Sequence, residues 1–224
     1  MYFHKILLDL YQIDETNKVK HRRFVKFRLI KAIRRRFRNY VLEKCKTGFV
    51  VLDNQKMHVK PNEYLKLVIQ DYRGAHTEYL KKNIKKGDIV LDVGANIGYY
   101  TCLLSRLVGP KGHVYAFEPS SENFELLKKN VQENNCQNTS IENMAVSDKT
   151  GNAVLNLSPN STTGHSIYET FDGGHTINIP TIALDDYFKD NQKIDYIKCD
   201  AQGADYPMLK GMLNTLKRSK NIQL

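Results

Sequence analysis

Long apolar segments and paired cysteines are both missing from this sequence. No apolar run approaches the roughly 18 to 20 residues that a membrane-spanning helix needs. Near the beginning of the chain, the apolar residues 6–8 are followed at once by Asp9, which argues against a cleaved signal peptide. The four cysteines are Cys45, Cys102, Cys136 and Cys199. They lie far apart and form no C-x-x-C pair, so we expect reduced thiols in a cytoplasmic protein rather than a disulfide or zinc framework.

The overall composition is that of an ordinary globular protein. The chain has 224 residues, of which 41% are hydrophobic and 26% are charged. These values exclude collagen-like, low-complexity and wholly disordered chains. The length is enough to bury a core without disulfide bonds, and it fits one α/β domain with a small accessory part.

The positive charge is concentrated in one segment. Residues 18–38 contain 11 lysines and arginines and no acidic residue, whereas the whole chain has 34 basic and 24 acidic residues. The remainder is therefore close to neutral, and the net charge of +10 belongs to this segment. Apolar residues recur at spacings of three and four over 24–41, which predicts an amphipathic helix.

Three interpretations of this basic segment remain open. It is a solvated helix whose apolar face packs on the rest of the protein, or a helix that lies on an anionic membrane surface. The third interpretation is binding of nucleic acid through phosphate contacts. Nucleic acid is the least favoured of the three, because the sequence contains no recognisable RNA- or DNA-binding motif.

An N-terminal extension, residues 1–73, precedes a core of alternating strands and helices, residues 74–224. In the extension, two β-prone runs around Asp53 and Asn54 predict a hairpin, and residues 62–86 are predicted to be helical, with a break near Gly74. In the core we predict strands at 89–93, 113–117, 140–143 and 194–199, and helices at 99–107, from 120 onward and at 206–217. This order predicts an α/β fold with a mostly parallel sheet covered by helices.

Two further features interrupt or end this alternation. Residues 152–157 and 176–179 predict a β insertion around a loop rich in serine, threonine, glycine and histidine. Residues 221–224 resemble the first residues of a fifth strand. Because open α/β sheets commonly have more than four strands, we expect the sequence to be a fragment or a shortened homologue, truncated after the fourth strand and its helix.

A glycine-rich turn follows the first core strand and opens a helix. Gly94 and Gly98 allow a tight turn and a close approach of the backbone to a ligand. At this point the helix N-terminus is expected to present open N–H groups. Asp92 is placed at the carboxyl end of the strand, where ligands of open α/β sheets bind. An N-cap role for Asp92 is the structural alternative.

The acidic residues of this turn favour a particular cofactor. The pattern D-x-G-x-N-x-G differs from the G-x-G-x-x-G of dinucleotide sites, and a carboxylate at Asp92 repels a pyrophosphate but suits a cation. Glu118, after the second strand, is placed to accept both ribose hydroxyls, although a solvated surface acid is the alternative. Together the two acids favour S-adenosylmethionine, with its ammonium and sulfonium groups, over NAD.

Several ordered motifs resemble those of the FkbM-type methyltransferases. They are GDIVLDVGANIGYYT (87–101), VYAFEP (114–119), NMAVSD (143–148), TIALDD (181–186), IDYIKCDAQGAD (194–205) and LKG (209–211). The resemblance covers about residues 74–224. It implies a class I Rossmann-like fold and methyl transfer from S-adenosylmethionine to a hydroxyl of a polyketide, sugar or glycan.

The resemblance also implies roles for individual residues. The methionine end of the cofactor is implied to lie against Asp92, Gly94, Asn96 and Gly98, and the ribose against Glu118. Asn143 and Ala145 are implied to edge the adenine. Asp200, Gln202 and Gly203 are implied to lie where the fourth strand opens onto the transferred methyl group. The family usually has glutamate at the position of Asp205, and often valine or isoleucine at that of Ala201.

A hydroxyl is a weak nucleophile, so a general base would assist its methylation. The candidates are Asp200, at the end of the fourth strand, and His165 and His175, in or beside the loop 160–176. Structural roles are open for all three, as a helix cap for Asp200 and as surface residues for the histidines. No dense cluster of histidine and acidic residues in the sequence indicates a metal site.

Three functional hypotheses follow. The first is a cytoplasmic S-adenosylmethionine-dependent O-methyltransferase acting on a hydroxylated small-molecule or glycan acceptor, for which membrane contact through residues 18–38 is one of the three open interpretations. The second is a truncated relative that binds the cofactor or a partner without turnover. The third is a nucleic-acid ribose methyltransferase that uses the basic segment. The [DNS]-P-P-[YF] motif of enzymes that methylate base amines is absent. Oligomeric state is not encoded in any of these patterns.

Overall fold

A computed structural model of the chain describes residues 48–60, 74–157, 165–167, 173–189, 192–201 and 205–219. The chain divides into two compact units, residues 1–50 with 59–74, and residues 51–58 with 75–224. In the first unit, the Val59 N–H donates to the Gly48 carbonyl at 3.2 Å. The predicted basic helix and the predicted fifth strand lie outside the described residues.

Strands and helices alternate through most of the described residues. The strands are β1 (Phe49–Leu52), β2 (Gln55–His58), β3 (Ile89–Val93), β4 (His113–Phe117), β5 (Thr139–Glu142), β6 (Ala145–Val146), β7 (Gly151–Leu157), β8 (His175–Ile182) and β9 (Tyr196–Cys199). The helices are α1 (Ala75–Asn83), α2 (Tyr99–Val108), α3 (Ser121–Glu133), α4 (Leu184–Tyr187), α5 (Asp205–Lys210) and α6 (Leu213–Arg218). Strands β1 and β2 form the predicted hairpin. Its turn residues Asp53 and Asn54 both have positive φ, as a tight two-residue turn requires.

The central sheet is parallel and has the order β5-β4-β3-β9. Its middle strand β3 is buried because successive side chains face helices on opposite sides of the sheet. Val90 packs with residues of α1 and α2, whereas Leu91 and Val93 pack against Leu184 and Met208. The predicted α/β fold with a mostly parallel sheet is therefore confirmed.

The predicted β insertion forms a separate sheet. Strands β7 and β8 pair antiparallel from Gly151 opposite Thr181 to Leu157 opposite His175, and β6 joins β8 in parallel. A small cluster of Ala145, Leu155 and Ile179 is buried against it. This sheet lies between β5 and β9 in the chain and is not hydrogen-bonded to the central sheet within the described residues.

The single helix predicted over 206–217 is wrong, because α5 ends before Gly211 and α6 begins after it. A Cβ at Gly211 would lie 2.1 Å from the Ser147 carbonyl oxygen, so the backbone is held against that residue. The Asp185 carboxylate then accepts the N–H groups of Asn214 and Thr215 at 2.9 and 2.7 Å, which caps α6. Both contacts come from residues far away in the sequence.

Candidate cofactor site

Three acidic residues lie at the carboxyl ends of neighbouring parallel strands. Asp92 belongs to β3, Glu118 follows β4, and Asp200 follows β9. The strand register sets Asp92 beside Ala116 on one side and Lys198 on the other. The sheet therefore brings the three acids to one edge, which is where ligands of open parallel sheets bind.

The backbone of the glycine turn is held by the end of β4. The N–H groups of Gly94 and Ala95 both donate to the Phe117 carbonyl at 3.0 Å, and the Asn96 N–H donates to Glu118 Oε2 at 2.8 Å. The next two N–H groups donate within the turn itself, to Asn96 Oδ1 and to the Ala95 carbonyl. The open donors that we expected here are therefore absent from residues 94–98.

Gly94 and Gly98 both adopt positive φ, +77° and +90°. A Cβ at Gly94 would lie 2.3 Å from the Asp200 carbonyl oxygen, so only glycine allows β3 and β9 to end so close together. A Cβ at Gly98 would lie 2.6 Å from Leu127 Cδ1 on α3. The two glycines therefore let the turn pack directly against Asp200 and against Leu127 of α3.

We expect Gly98→Ala to lower the free energy of unfolding by about 1–3 kcal/mol, since alanine is strained at this φ. Urea denaturation measures the change. Gly87→Ala is the matched control, because Gly87 has φ +91° and nothing within 4 Å of the added Cβ. If Gly98→Ala loses more unfolding free energy than Gly87→Ala, the difference measures the clash with Leu127. Equal losses would show that this clash costs nothing.

Glu118 is buried, with only 5% of the residue exposed. Besides the Asn96 N–H, its carboxylate accepts the Ser120 N–H at 3.0 Å and the Asn123 amide at 3.4 Å. Burial raises the pKa of Glu118 to about 7, although these hydrogen bonds and Lys198 oppose the shift. The alternative of a solvated surface acid is therefore wrong. A carboxylate has about four acceptor positions, so one is open and a second becomes open when the long 3.4 Å contact from the Asn123 amide is given up.

Asp92 forms a buried ion pair with Lys198, which sequence reasoning missed. Lys198 Nζ lies 2.9 Å from Asp92 Oδ1, and the Thr101 hydroxyl donates to Oδ2 at 2.6 Å. Asp92 is fully buried and Lys198 is 5% exposed. Burial opposes the charge on Lys198, but the carboxylates of Asp92 and Asp200 outweigh it and raise the pKa of the lysine. The cofactor contact implied for Asp92 stays a prediction.

Two residues implied to edge the adenine have protein partners. The Asn143 amide donates to the carbonyls of Glu118 at 2.8 Å and Pro119 at 3.2 Å, so it fixes the segment after β4. Ala145 is buried with Leu155 in the insertion sheet. Gln202 and Gly203 lie outside the described residues. The adenine and methyl contacts of these residues stay predictions.

The three candidate bases lie in two places. Asp200 is exposed and follows β9, and its N–H donates to the Val93 carbonyl at 2.9 Å. His165 precedes Ser166, which bridges to Asn156, and His175 pairs with Leu157. The two histidines therefore share one end of the β7–β8 ribbon, about 20 Å along the strand from Thr181.

A second cluster near Asp200 was also missed. His76, in the first turn of α1, packs against Tyr100 with ring centroids 5.0 Å apart and ring planes tilted by 48°, and Lys198 Nζ lies 5.2 Å from the same Tyr100 ring. A lysine within the apolar strand 194–199 was a usable signal, because it falls in register with Asp92. His76 gave no signal, because nothing local places α1 beside these strand ends.

The donor set fits S-adenosylmethionine. A buried carboxylate at Glu118 suits the ribose hydroxyls, and an exposed carboxylate at Asp200 suits a cationic group. Within the described residues, no group of three or more histidine, cysteine or acidic side chains is placed to hold a metal ion. No helix among them is long and apolar enough to cross a membrane.

The fold and this site define a Rossmann-like, S-adenosylmethionine-dependent methyltransferase domain. More particularly, the chain belongs to the FkbM methyltransferase family, since the model of the methyltransferase FkbM domain matches residues 92–223. A model of protein-L-isoaspartate(D-aspartate) O-methyltransferases matches residues 16–153 and overlaps the first match from Asp92 into β7. The predicted family is thus confirmed.

Two curated relatives and one solved structure are similar over part of their length. The hexuronic acid methyltransferase AglP of Haloferax volcanii is 30% identical over 154 residues, which are 66% of this chain and 61% of the relative. The 31-O-demethyl-FK506 methyltransferase FkbM of Streptomyces tacrolimicus is 35% identical over 95 residues, 41% of this chain and 36% of the relative. An S-adenosylmethionine-dependent methyltransferase from Aquifex aeolicus has a TM-score of 0.32 and 30% identity, over 38% of this chain and 46% of that one.

Proposed function

We propose that this protein transfers a methyl group from S-adenosylmethionine to an oxygen of a sugar, glycan or polyketide-like acceptor. The observation that carries the proposal is the buried Glu118 carboxylate, which lies beside the glycine turn and is held by the Asn96 N–H. Family membership supports the reaction class. The names of the two relatives, which give a hexuronic acid and 31-O-demethyl-FK506, support an oxygen acceptor.

The residues divide the work between binding and alignment. When bound, S-adenosylmethionine supplies a methyl group activated by the adjacent sulfonium. Glu118 accepts the ribose hydroxyls, and the Asn96 N–H of the glycine turn holds its carboxylate in place. Asp200 sits at the adjoining strand end and attracts the cationic groups. What remains for the protein is to hold an acceptor oxygen in line with the methyl carbon, which is where most of the rate gain arises.

The test uses tritium-labelled S-adenosylmethionine with two acceptors, methyl β-D-glucuronide and methyl β-D-glucoside. We expect calorimetric titration to show that the protein binds the cofactor. We also expect the label to be transferred to at least one of the two sugars. Binding without transfer to any oxygen of these sugars, or of a wider set of hydroxylated glycans and macrolides, would favour a relative that binds without turnover. Absence of binding by folded protein would contradict the cofactor site itself.

A further inference from the structure

The first turn of α1 brings an imidazole to the acidic edge of the sheet. His76 contacts the Tyr100 ring, and that ring also lies against the Lys198 ammonium. Lys198 is in register with Asp92, two residues before Asp200. Three segments distant in sequence, α1, the start of α2 and the end of β9, therefore meet beside the turn that holds Glu118.

The groups around His76 differ in whether they can take up a proton. Asp92 and Lys198 are buried and neutralise each other at 2.9 Å. Burial raises the pKa of Tyr100, so its phenol stays protonated at neutral pH. His76 is exposed. Of these groups, the imidazole is the one that is both basic near pH 7 and accessible.

The charges facing His76 come from three elements. Lys198 is on β9 and Asp200 directly follows that strand, Asp92 is on β3, and Tyr100 is on α2. Burial and the Lys198 charge lower the pKa of His76, and the carboxylates of Asp200 and Asp92 act in the opposite direction. The imidazole is therefore mostly neutral at pH 7, and the imidazolium that it forms is stabilised by Asp200 nearby.

We infer that His76 is the general base that accepts the proton of the acceptor hydroxyl, an assignment that rests on the proposed function. The acceptor oxygen forms a bond to the methyl carbon, while the carbon–sulfur bond breaks and its electron pair stays on sulfur. The hydroxyl proton passes to the imidazole nitrogen, so charge is conserved as the sulfonium becomes a neutral thioether. His76 replaces the insertion histidines His165 and His175 in this role, and Asp200 assists it.

The first test needs no acceptor. Imidazole pKa values are measured by NMR in complexes with S-adenosylmethionine and with S-adenosylhomocysteine, which lacks the methyl group and the positive charge. If His76 faces the transferred methyl, its pKa is lower in the S-adenosylmethionine complex by at least about half a unit, as expected for a charge within about 10 Å. His113 is the internal control, because it pairs with Ser140 at the opposite end of β4 and should not change.

The second test is His76→Gln, with His113→Gln as the matched variant. We expect His76→Gln to bind S-adenosylmethionine within about twofold of the wild type. Transfer to the hydroxyls of methyl β-D-glucoside should fall about 100-fold, and the acid limb of the kcat/KM profile should disappear. Methylation of the glucuronide carboxylate, which is already ionised, should change little.

The outcomes separate this inference from the proposed function. Equal His76 pKa values in the two complexes, or unchanged hydroxyl methylation by His76→Gln, would overturn the role of His76 while leaving the methyltransferase intact. Failure of the wild type to bind either ligand would contradict the proposed function, and the inference would fall with it. A loss of transfer in His165→Gln or His175→Gln but not in His76→Gln would move the base to the insertion.

Discussion

Glu118→Gln is expected to weaken S-adenosylmethionine binding by about 100-fold at pH 8. For each of the two ribose hydroxyls, a neutral amide replaces a charge-assisted hydrogen bond worth about 1.5–3 kcal/mol by a neutral one worth about 1 kcal/mol. The amide also presents one oxygen where the carboxylate presents two. Because the Asn96 and Ser120 N–H groups approach different oxygens, the amide can accept only one of these two hydrogen bonds. Calorimetric titration of the wild type and the variant measures the difference.

The wild-type affinity should also depend on pH in a defined direction. Burial raises the pKa of Glu118 to about 7, and the ribose hydroxyls prefer the ionised form. The cofactor Kd should therefore rise about tenfold between pH 8 and pH 6, as the carboxylate becomes protonated. Without ligand the sign is reversed: protonation favours the native state, so stability falls as the pH rises from the ordinary value of 4.5 through about 7.

Glu125→Gln is the matched control for both measurements. Glu125 is exposed on α3, a little over one turn beyond the Ser120 end of the helix. Its replacement removes the same charge from a solvated position on the element that follows Glu118. Its Kd should stay within about threefold of the wild type, with the same pH dependence. A Glu118→Gln variant that behaves in the same way would exclude the ribose contact. A flat pH profile in the wild type would show that burial does not control this carboxylate.

Local patterns predict the central sheet well, because its strands are short apolar runs bounded by turns. Both β3 and β4 have the predicted bounds, and the glycine turn between β3 and α2 follows from the residues themselves. The helical periodicity after β9 is equally regular, yet the helix breaks at Gly211. The cause is the approach of the Ser147 backbone and the cap from Asp185, neither of which is visible in a window around residue 211.

The site shows the same division between local and distant causes. Spacing and residue type place Glu118 after a strand, where its isolation from solvent follows from the turn and α3 around it. The partner of Asp92 lies 106 residues away, so its neutralisation by Lys198 could not be inferred from the turn alone. His76 depends on how α1 packs, and helix packing is set by tertiary contacts rather than by local sequence.

Lys198→Met is expected to lower the free energy of unfolding by about 3–5 kcal/mol, because it leaves the Asp92 carboxylate buried without its cation. Asp92 would keep only the Thr101 hydroxyl as a donor among these contacts. The double variant Asp92→Asn with Lys198→Met removes both charges and should recover much of this loss. Urea denaturation of the single and double variants gives the coupling between the two residues.

Lys210→Met is the control for losing an ion pair of the same kind in an exposed place. Lys210 lies 3.0 Å from Asp148, with its side chain 55% exposed, and its removal should hardly move the denaturation midpoint. If Lys198→Met behaves like Lys210→Met, the Asp92 carboxylate must find water or take up a proton at little cost. If instead the double variant is more stable than Lys198→Met, the Asp92–Lys198 pair stabilises the ends of β3 and β9. The exposed groups Asp200 and His76 are then those available to contact the cofactor and the acceptor.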